Sequence, residues 1–270
     1  MEILSFKPKL TVTPITLIQK IVEWIGSILS MIYFSTPLIQ IIKMYKGKLK
    51  TEYLPITLLL TILFNCTFWL LHGVTESMNE GKFWASLIIC NGYGLIINIA
   101  LLFFFLYIYL AKNINKFIGY GLFVVNLIFE ITYLMEIWVI RKNKENNDFV
   151  GFIATVVNVC MYLSPATNII KVCQTGNYEF LPIITNIVGF FTTLIWLIYG
   201  ALTQNDKDPS AKFTLYSNGF SVLIVAFQIS FWLFYFAKYS NNVIQAHEDT
   251  SNDNINENND YQGMNNGNQQ

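Results

Sequence analysis

Six hydrogen-bonding side chains stand inside long apolar stretches of this chain: Ser30, Asn65 and Asn91 in its first half, Asn158, Thr192 and Asn218 in its second. Helix geometry gives their depth. At 1.5 Å per residue, Ser30 lies about 15 Å from a span start near Lys20, Asn65 about 15 Å from Pro55 and Asn91 about 13–14 Å from Lys82. The three in the second half sit eight to ten residues from their own span starts and reach similar depths. All six therefore reach the middle of a bilayer, at one level. An amide offers two donors and an acceptor, which suits a hydroxyl that is itself both. One helical turn beyond Asn65 and Thr192, on the same face, stand Trp69 and Trp196. An indole can cover the C–H face of a polar ring compound while its N–H finds an oxygen. The plainer uses are bonds between neighbouring helices for the polar residues and an interfacial aromatic belt for the tryptophans.

The elements that must position these residues follow from composition. The chain has 270 residues, 54% hydrophobic and only 13% charged, against about 25% charged in soluble domains. Stretches of about 20 apolar residues, enough to cross a ~30 Å hydrocarbon core, occur at 20–43, 54–75, 83–110, 117–140, 149–172, 181–203 and 212–238. The expected fold class is an all-α membrane protein of seven transmembrane helices, with residues 1–19 outside the membrane. No cleaved signal peptide is expected, since residues 1–16 hold lysines and prolines and no apolar core. From residue 240 the chain turns polar and Asn-rich, and a disordered tail is expected. Cys66, Cys90, Cys160 and Cys173 have no metal or redox spacing and read as small buried hydrophobes. No metal site is expected.

The second half repeats the first. Pro55 maps to Pro182, Trp69 to Trp196, Gly73 to Gly200, Asn91 to Asn218 and Gly92 to Gly219, all at an offset of 127, while Pro37 maps to Pro165 at 128. Each copy holds three spans, so a second copy following an odd number of crossings would be inverted. The span 117–140 restores its direction. The expected arrangement is a three-helix repeat at 20–110, a linker helix within 111–148, and a second three-helix repeat at 149–239 (3+1+3). Parallel repeats of this kind occur in transporters that hold substrate near the midplane. Pro37, Pro55, Pro165 and Pro182 take equivalent places in the two copies. Pro37 and Pro165 sit well inside apolar runs, where proline kinks or weakens a helix.

The pieces "YFSTPLIQIIK", "TEYLPI", "WLLHG" and "CNGYG", repeated as "MYLSPATNIIK", "YEFLPI", "WLIYG" and "SNGFS", resemble the SWEET family of sugar transporters over residues of about 22–239. The resemblance implies facilitative sugar transport by alternating access, with no enzyme chemistry and no cofactor. It implies a small-molecule sugar as substrate, lipid as surroundings and no nucleic-acid partner, and leaves a homo-oligomer open. It places the substrate-contacting asparagines at Asn91 and Asn218, side-pocket residues at Tyr33 and Met161, and a hinge for the inner gate at the four prolines. Large side chains at Tyr33 and Met161 imply a monosaccharide such as glucose. The sequence departs from the family at Ala166, where leucine is usual, and at Gly176, where lysine is usual.

Two other readings compete. A proton-coupled exporter of the related PQ-loop type would carry Pro-Gln pairs and an acid in its core. Here the pairs are Pro37-Leu38 and Pro165-Ala166, and the only deeply placed carboxylates expected are Glu130 and Glu136 on the linker helix. A seven-helix receptor would not carry a parallel repeat. His72 takes the slot of Tyr199 in the other copy and reads as a wet helix end. Lys and Arg number eight on one side and nine on the other, so the positive-inside rule gives no orientation. The dense cluster "KMYKGKLK" favours a cytosolic first loop, with the N-terminus outside or lumenal and the C-terminus cytosolic. Plasma membrane and endomembrane both remain open.

Overall fold

The computed structural model describes residues 14–80, 84–110, 144–204 and 209–266, with the single positions Leu127 and Ile131. Apart from those two positions, the expected fourth span, with Glu130 and Glu136, lies outside the described residues. All regular structure among the described residues is helical. The helices are α1 (Pro14–Ser35), α2 (Pro37–Tyr45), α3 (Ile56–Glu80), α4 (Ala85–Tyr109), α5 (Lys144–Leu163), α6 (Ala166–Thr175), α7 (Ile183–Thr203) and α8 (Pro209–Asn266). Short 3-10 turns lie at Thr51–Tyr53 and Tyr178–Phe180, at equivalent places in the two copies.

Six stretches are long and apolar enough to cross a membrane: Leu17–Tyr45, Ile56–Ser77, Ala85–Tyr109, Asp148–Thr175, Ile183–Thr203 and Ala211–Tyr239. α8 differs from expectation, continuing as helix to Asn266 where an irregular tail was expected from 240. Its apolar part has already met the cost of helix nucleation, propagation then adds one bond per residue fixed, and no proline interrupts the polar part.

Both inner prolines break their spans, and both breaks are repaired alike. Pro37 has no N–H to offer the carbonyl of Tyr33, four residues back. Thr36 Oγ1 donates to that carbonyl instead at 2.8 Å. In the second copy Ser164 Oγ donates to the Met161 carbonyl, also at 2.8 Å. The next carbonyl in each copy is answered by an amide from another helix. Asn98 Nδ2 donates to Phe34 O at 3.1 Å, and Gln228 Nε2 to Tyr162 O at 2.8 Å. At membrane depth, broken backbone survives only where such partners exist. Pro55 and Pro182, in contrast, directly precede α3 and α7 and leave those helices unbroken.

The six spans close into a ring. α4 packs between α1 and α3, and α8 packs between α5 and α7; the two halves meet along the α3–α5 and α1–α7 seams. Exchanging the two copies exchanges the two seams. The outer surface exposes large apolar side chains such as Ile96, Phe220 and Leu223, while asparagines, serines and threonines are buried within. Such an inside-out distribution fits lipid outside and polar contacts inside.

Small residues let the helices approach. A Cβ on Gly200 would lie 2.8 Å from the Leu215 backbone nitrogen, so α7 and α8 are in contact at backbone level. At its mate Gly73 the nearest atom is a Leu87 methyl carbon, at 3.0 Å. A side chain can yield where a backbone cannot. Gly200→Ala is therefore expected to lower the thermal stability of the purified protein by about 1–3 kcal/mol, and Gly73→Ala by clearly less. Melting curves of the two variants decide the point, and equal losses would show that backbone contact is not what matters there.

Candidate functional site

The ring encloses a cavity of about 450 Å³ to which all six described spans contribute. Its lining comes almost wholly in repeat-related pairs: Ser30 with Asn158, Phe34 with Tyr162, Asn65 with Thr192, Trp69 with Trp196, Leu87 with Thr214, and Asn91 with Asn218. Cys90 and Met161 complete it. Nine of the ten residues singled out from the sequence thus meet in one place. Tyr33 does not. It is buried beneath the cavity, its ring 5.1 Å from that of Tyr162 and against Gly189. A helix turns about 100° per residue, so beside the break at Thr36 the neighbour Phe34 takes the inward position. Phe34, Tyr162, Leu87, Cys90 and Thr214 were missed. The repeat could have found Phe34 and Tyr162, which share an equivalent position.

The two central asparagines are held identically. Asn91 Nδ2 donates to Leu87 O at 2.9 Å, and Asn218 Nδ2 donates to Thr214 O at 2.8 Å. Each amide also donates to the preceding residue, Cys90 Sγ at 3.4 Å and Ser217 Oγ at 3.3 Å. Both protons of each amide are therefore committed to their own helix. A carbonyl can accept only from the amide nitrogen, which also fixes which way each amide is turned. What remains is Oδ1, an acceptor, from each copy. Asn65 adds another: its Oδ1 is buried and has no hydrogen-bond partner among the described residues. Buried polar atoms in native proteins are nearly always satisfied, and an orphan lining a cavity points to a ligand or water that satisfies it. Of the indoles, Trp196 donates across the α1–α7 seam to Ser30 Oγ at 2.8 Å.

On the proline side the cavity is closed. Below the Tyr33–Tyr162 layer, the repeated "EYLPI" and "EFLPI" turns meet: Tyr53 and Phe180 stack with ring centroids 4.2 Å apart and planes within 6°. Asn168 Nδ2 donates to both turns, to Phe180 O at 2.9 Å and more weakly to Tyr53 O at 3.4 Å. Asn177 Nδ2 reaches Tyr53 Oη at 3.0 Å, and Lys171 Nζ reaches Glu52 O at 2.8 Å. Their first-copy counterparts do not clasp back. Gln40 and Lys43, the counterparts of Asn168 and Lys171, instead line a crevice together with Glu179, the counterpart of Glu52. The four prolines do cluster at this end, with Pro37, Pro165 and Pro182 buried.

Three further expectations are corrected. His72 is fully buried, edge-on between Trp69 and Phe213, because Gly151 leaves room for its ring; it is not a wet helix end. Cys66 and Cys90 are buried as expected, but Cys160 and Cys173 are exposed, and all four are free thiols. Cys160 and Cys173 stand on helix faces turned away from the ring interior. Glu130 and Glu136 lie outside the described residues, and among the described ones two further carboxylates, Glu23 and Glu76, stand in the helices. α1 begins at Pro14, earlier than the span start near Lys20, which sets Glu23 well inside the helix, and Glu76 is buried on α3.

Comparison with known proteins agrees with this architecture. The family model described as "sugar efflux transporter for intercellular exchange" matches residues 20–113 and again 148–240, once per copy. Bidirectional sugar transporter SWEET7 of Arabidopsis thaliana is 27% identical over 210 residues, covering 77% of each chain. Bidirectional sugar transporter SWEET8 of the same plant is 26% identical over 228 residues, 81% of this chain and 88% of its own. Among solved structures, the 3.7 Å structure of a eukaryotic SWEET transporter superposes with a TM-score of 0.61 at 19% identity, over 82% of this chain and 99% of its own. The fold is thus shared beyond the reach of close sequence similarity. With both copies matched over more than half its length, the chain belongs to the family of sugar efflux transporters for intercellular exchange, as an integral multi-pass membrane protein and not an enzyme.

Proposed function

We propose that the protein carries a monosaccharide such as glucose across its membrane by facilitated, uncoupled transport. The observation that carries this reading is the central cavity lined in repeat-related pairs, where Asn65 Oδ1 has no donor among the described residues and the amide protons of Asn91 and Asn218 are held by their own helices, leaving their oxygens as acceptors. Sugar hydroxyls supply the missing donors. Trp69 and Trp196 offer faces for the C–H surface of a pyranose. Ser30, Asn158 and Thr192 complete the polar wall, while Met161 and Tyr162, with Tyr33 behind them, narrow the space. That narrowing supports a single sugar ring over two.

In this reading the chain is two three-helix units, 20–110 and 149–239, joined by an inverting helix within 111–148. Its N-terminus is outside or lumenal and its C-terminus cytosolic. The proline end is then the inner gate, closed by the stacked turns. Pro37 and Pro165 hold breaks that already lack one helical bond, and Pro55 and Pro182 start the helices whose turns must part. All four act as hinges. Sugar binding shifts populations between states open to one side or the other, and net flow follows the gradient because no second solute supplies free energy.

The test is uptake of labelled glucose into proteoliposomes. Wild-type protein is expected to equilibrate glucose without a pH gradient, and Asn91→Ala or Asn218→Ala to slow it by roughly tenfold or more, the ~1.4 kcal/mol scale of one hydrogen bond. An absolute requirement for a proton gradient would defeat the uncoupled reading; unimpaired Asn variants would move the site elsewhere. Replacing all four prolines by alanine restores four N–H groups and is expected to stop transport while leaving the protein inserted. Full activity in that variant removes the hinge role.

A further inference from the structure

The central cavity is lined in repeat-related pairs, but the space next to it is not. Toward the end away from the prolines, a second chamber of about 340 Å³ adjoins the central cavity, sharing Trp69 and Trp196 with it. Its distinctive walls are Glu23, Trp84, Ser86 and Tyr199. At the repeat-related positions stand Gly151 for Glu23, Ala211 for Trp84 and Phe213 for Ser86. There the space is filled: a Cβ on Gly151 would lie 2.6 Å from the Phe213 ring.

Two features define the chemistry of this chamber. Glu23 brings a half-buried carboxylate whose Oε1 accepts from Ser86 Oγ across the α1–α4 contact. Among the described residues no lysine or arginine lines the chamber, and the described ion pairs, Lys50–Glu52 and Lys212–Asp148, lie elsewhere. An ionisable side chain within an apolar span points by default to a functional site. The second feature is aromatic. Trp69, Trp84 and Tyr199 are all buried, and the rings of Trp196 and Tyr199 stand perpendicular, at 87° with centroids 5.4 Å apart. Perpendicular rings form a corner of electron-rich faces, and such cages bind ammonium groups by cation–π attraction. A neutral sugar gains from aromatic faces but does not need the charge. A cation gains from both.

We infer that this chamber is a binding site for a small organic ammonium ion, held by Glu23 and the tryptophan–tyrosine walls. The inference about binding stands on the chamber alone; its effect on transport rests on the proposed sugar path. An occupant lies between the central cavity and the mouth away from the prolines, so it obstructs sugar entering from that side. An amino sugar could set its ammonium group here and its ring in the cavity.

The purified full-length protein provides the test, with choline as probe and tryptophan fluorescence as readout. Choline is expected to give a saturable change. Its uncharged isostere 3,3-dimethylbutan-1-ol, of the same shape, is expected to bind roughly tenfold more weakly or not at all. Equal binding of the two, or displacement of choline by the same concentration of sodium or potassium chloride, overturns the ammonium assignment. No saturable response overturns the site. Glu23→Gln is expected to weaken choline binding roughly tenfold. In proteoliposomes it should relieve inhibition by choline while glucose still equilibrates. Choline binding without any glucose transport would leave this site standing and remove the proposed function; transport without choline binding would do the reverse.

Discussion

Polar groups at the depth of hydrocarbon have no water to fall back on, and this constraint sorts every polar residue in the ring. Some are spent on the backbone. Thr36 and Ser164 answer the carbonyls that Pro37 and Pro165 cannot, and Asn98 and Gln228 answer the next ones. Others are spent on closure, as Asn168, Asn177 and Lys171 tie the two repeated turns together. Among the acceptors left without a protein donor in the described residues, Asn65 Oδ1 lines the central cavity beside Asn91 and Asn218, while the Oδ1 atoms of Asn98 and Asn168 and Oε1 of Gln228 belong to amides already committed to backbone through their nitrogens.

Much of this was legible in the sequence because it is periodic. The span ends read from apolar runs fall within three residues of the described ones at all six spans. The repeat, which needs only matched spacings, brought Ser30, Asn65, Trp69, Asn91 and their counterparts to one level before any packing was known. What spacing cannot give is rotation about a helix axis beside a break, which is why Phe34 and not Tyr33 faces inward. Nor can it say which half of an amide is used. Asn91 and Asn218 suggested both donors and an acceptor, whereas their donors are held by their own helices.

The repeat also conceals what is not repeated. The carbonyls beside the breaks are equivalent, but the amides that serve them are not. Asn98 aligns with Val225, and Gln228 with Leu101, so the two copies reach one geometry by different residues. Glu23 was not singled out from the sequence, where the span was taken to start near Lys20; α1 begins at Pro14, two turns and more before it. His72, paired with Tyr199, looked like an interfacial substitution, and its burial depends on Gly151, a residue distant in sequence.

The central claim is that one cavity, framed equally by both copies, holds the sugar. The most direct measurement is an experimentally determined structure of the protein with glucose bound. The account predicts one sugar ring between Asn91 and Asn218, its hydroxyls within hydrogen-bond distance of the Oδ1 atoms of both and of Asn65, and an indole of Trp69 or Trp196 over its C–H face. A sugar seated in the crevice beside Lys43, or in the central cavity without contact to either Asn91 or Asn218, would contradict it.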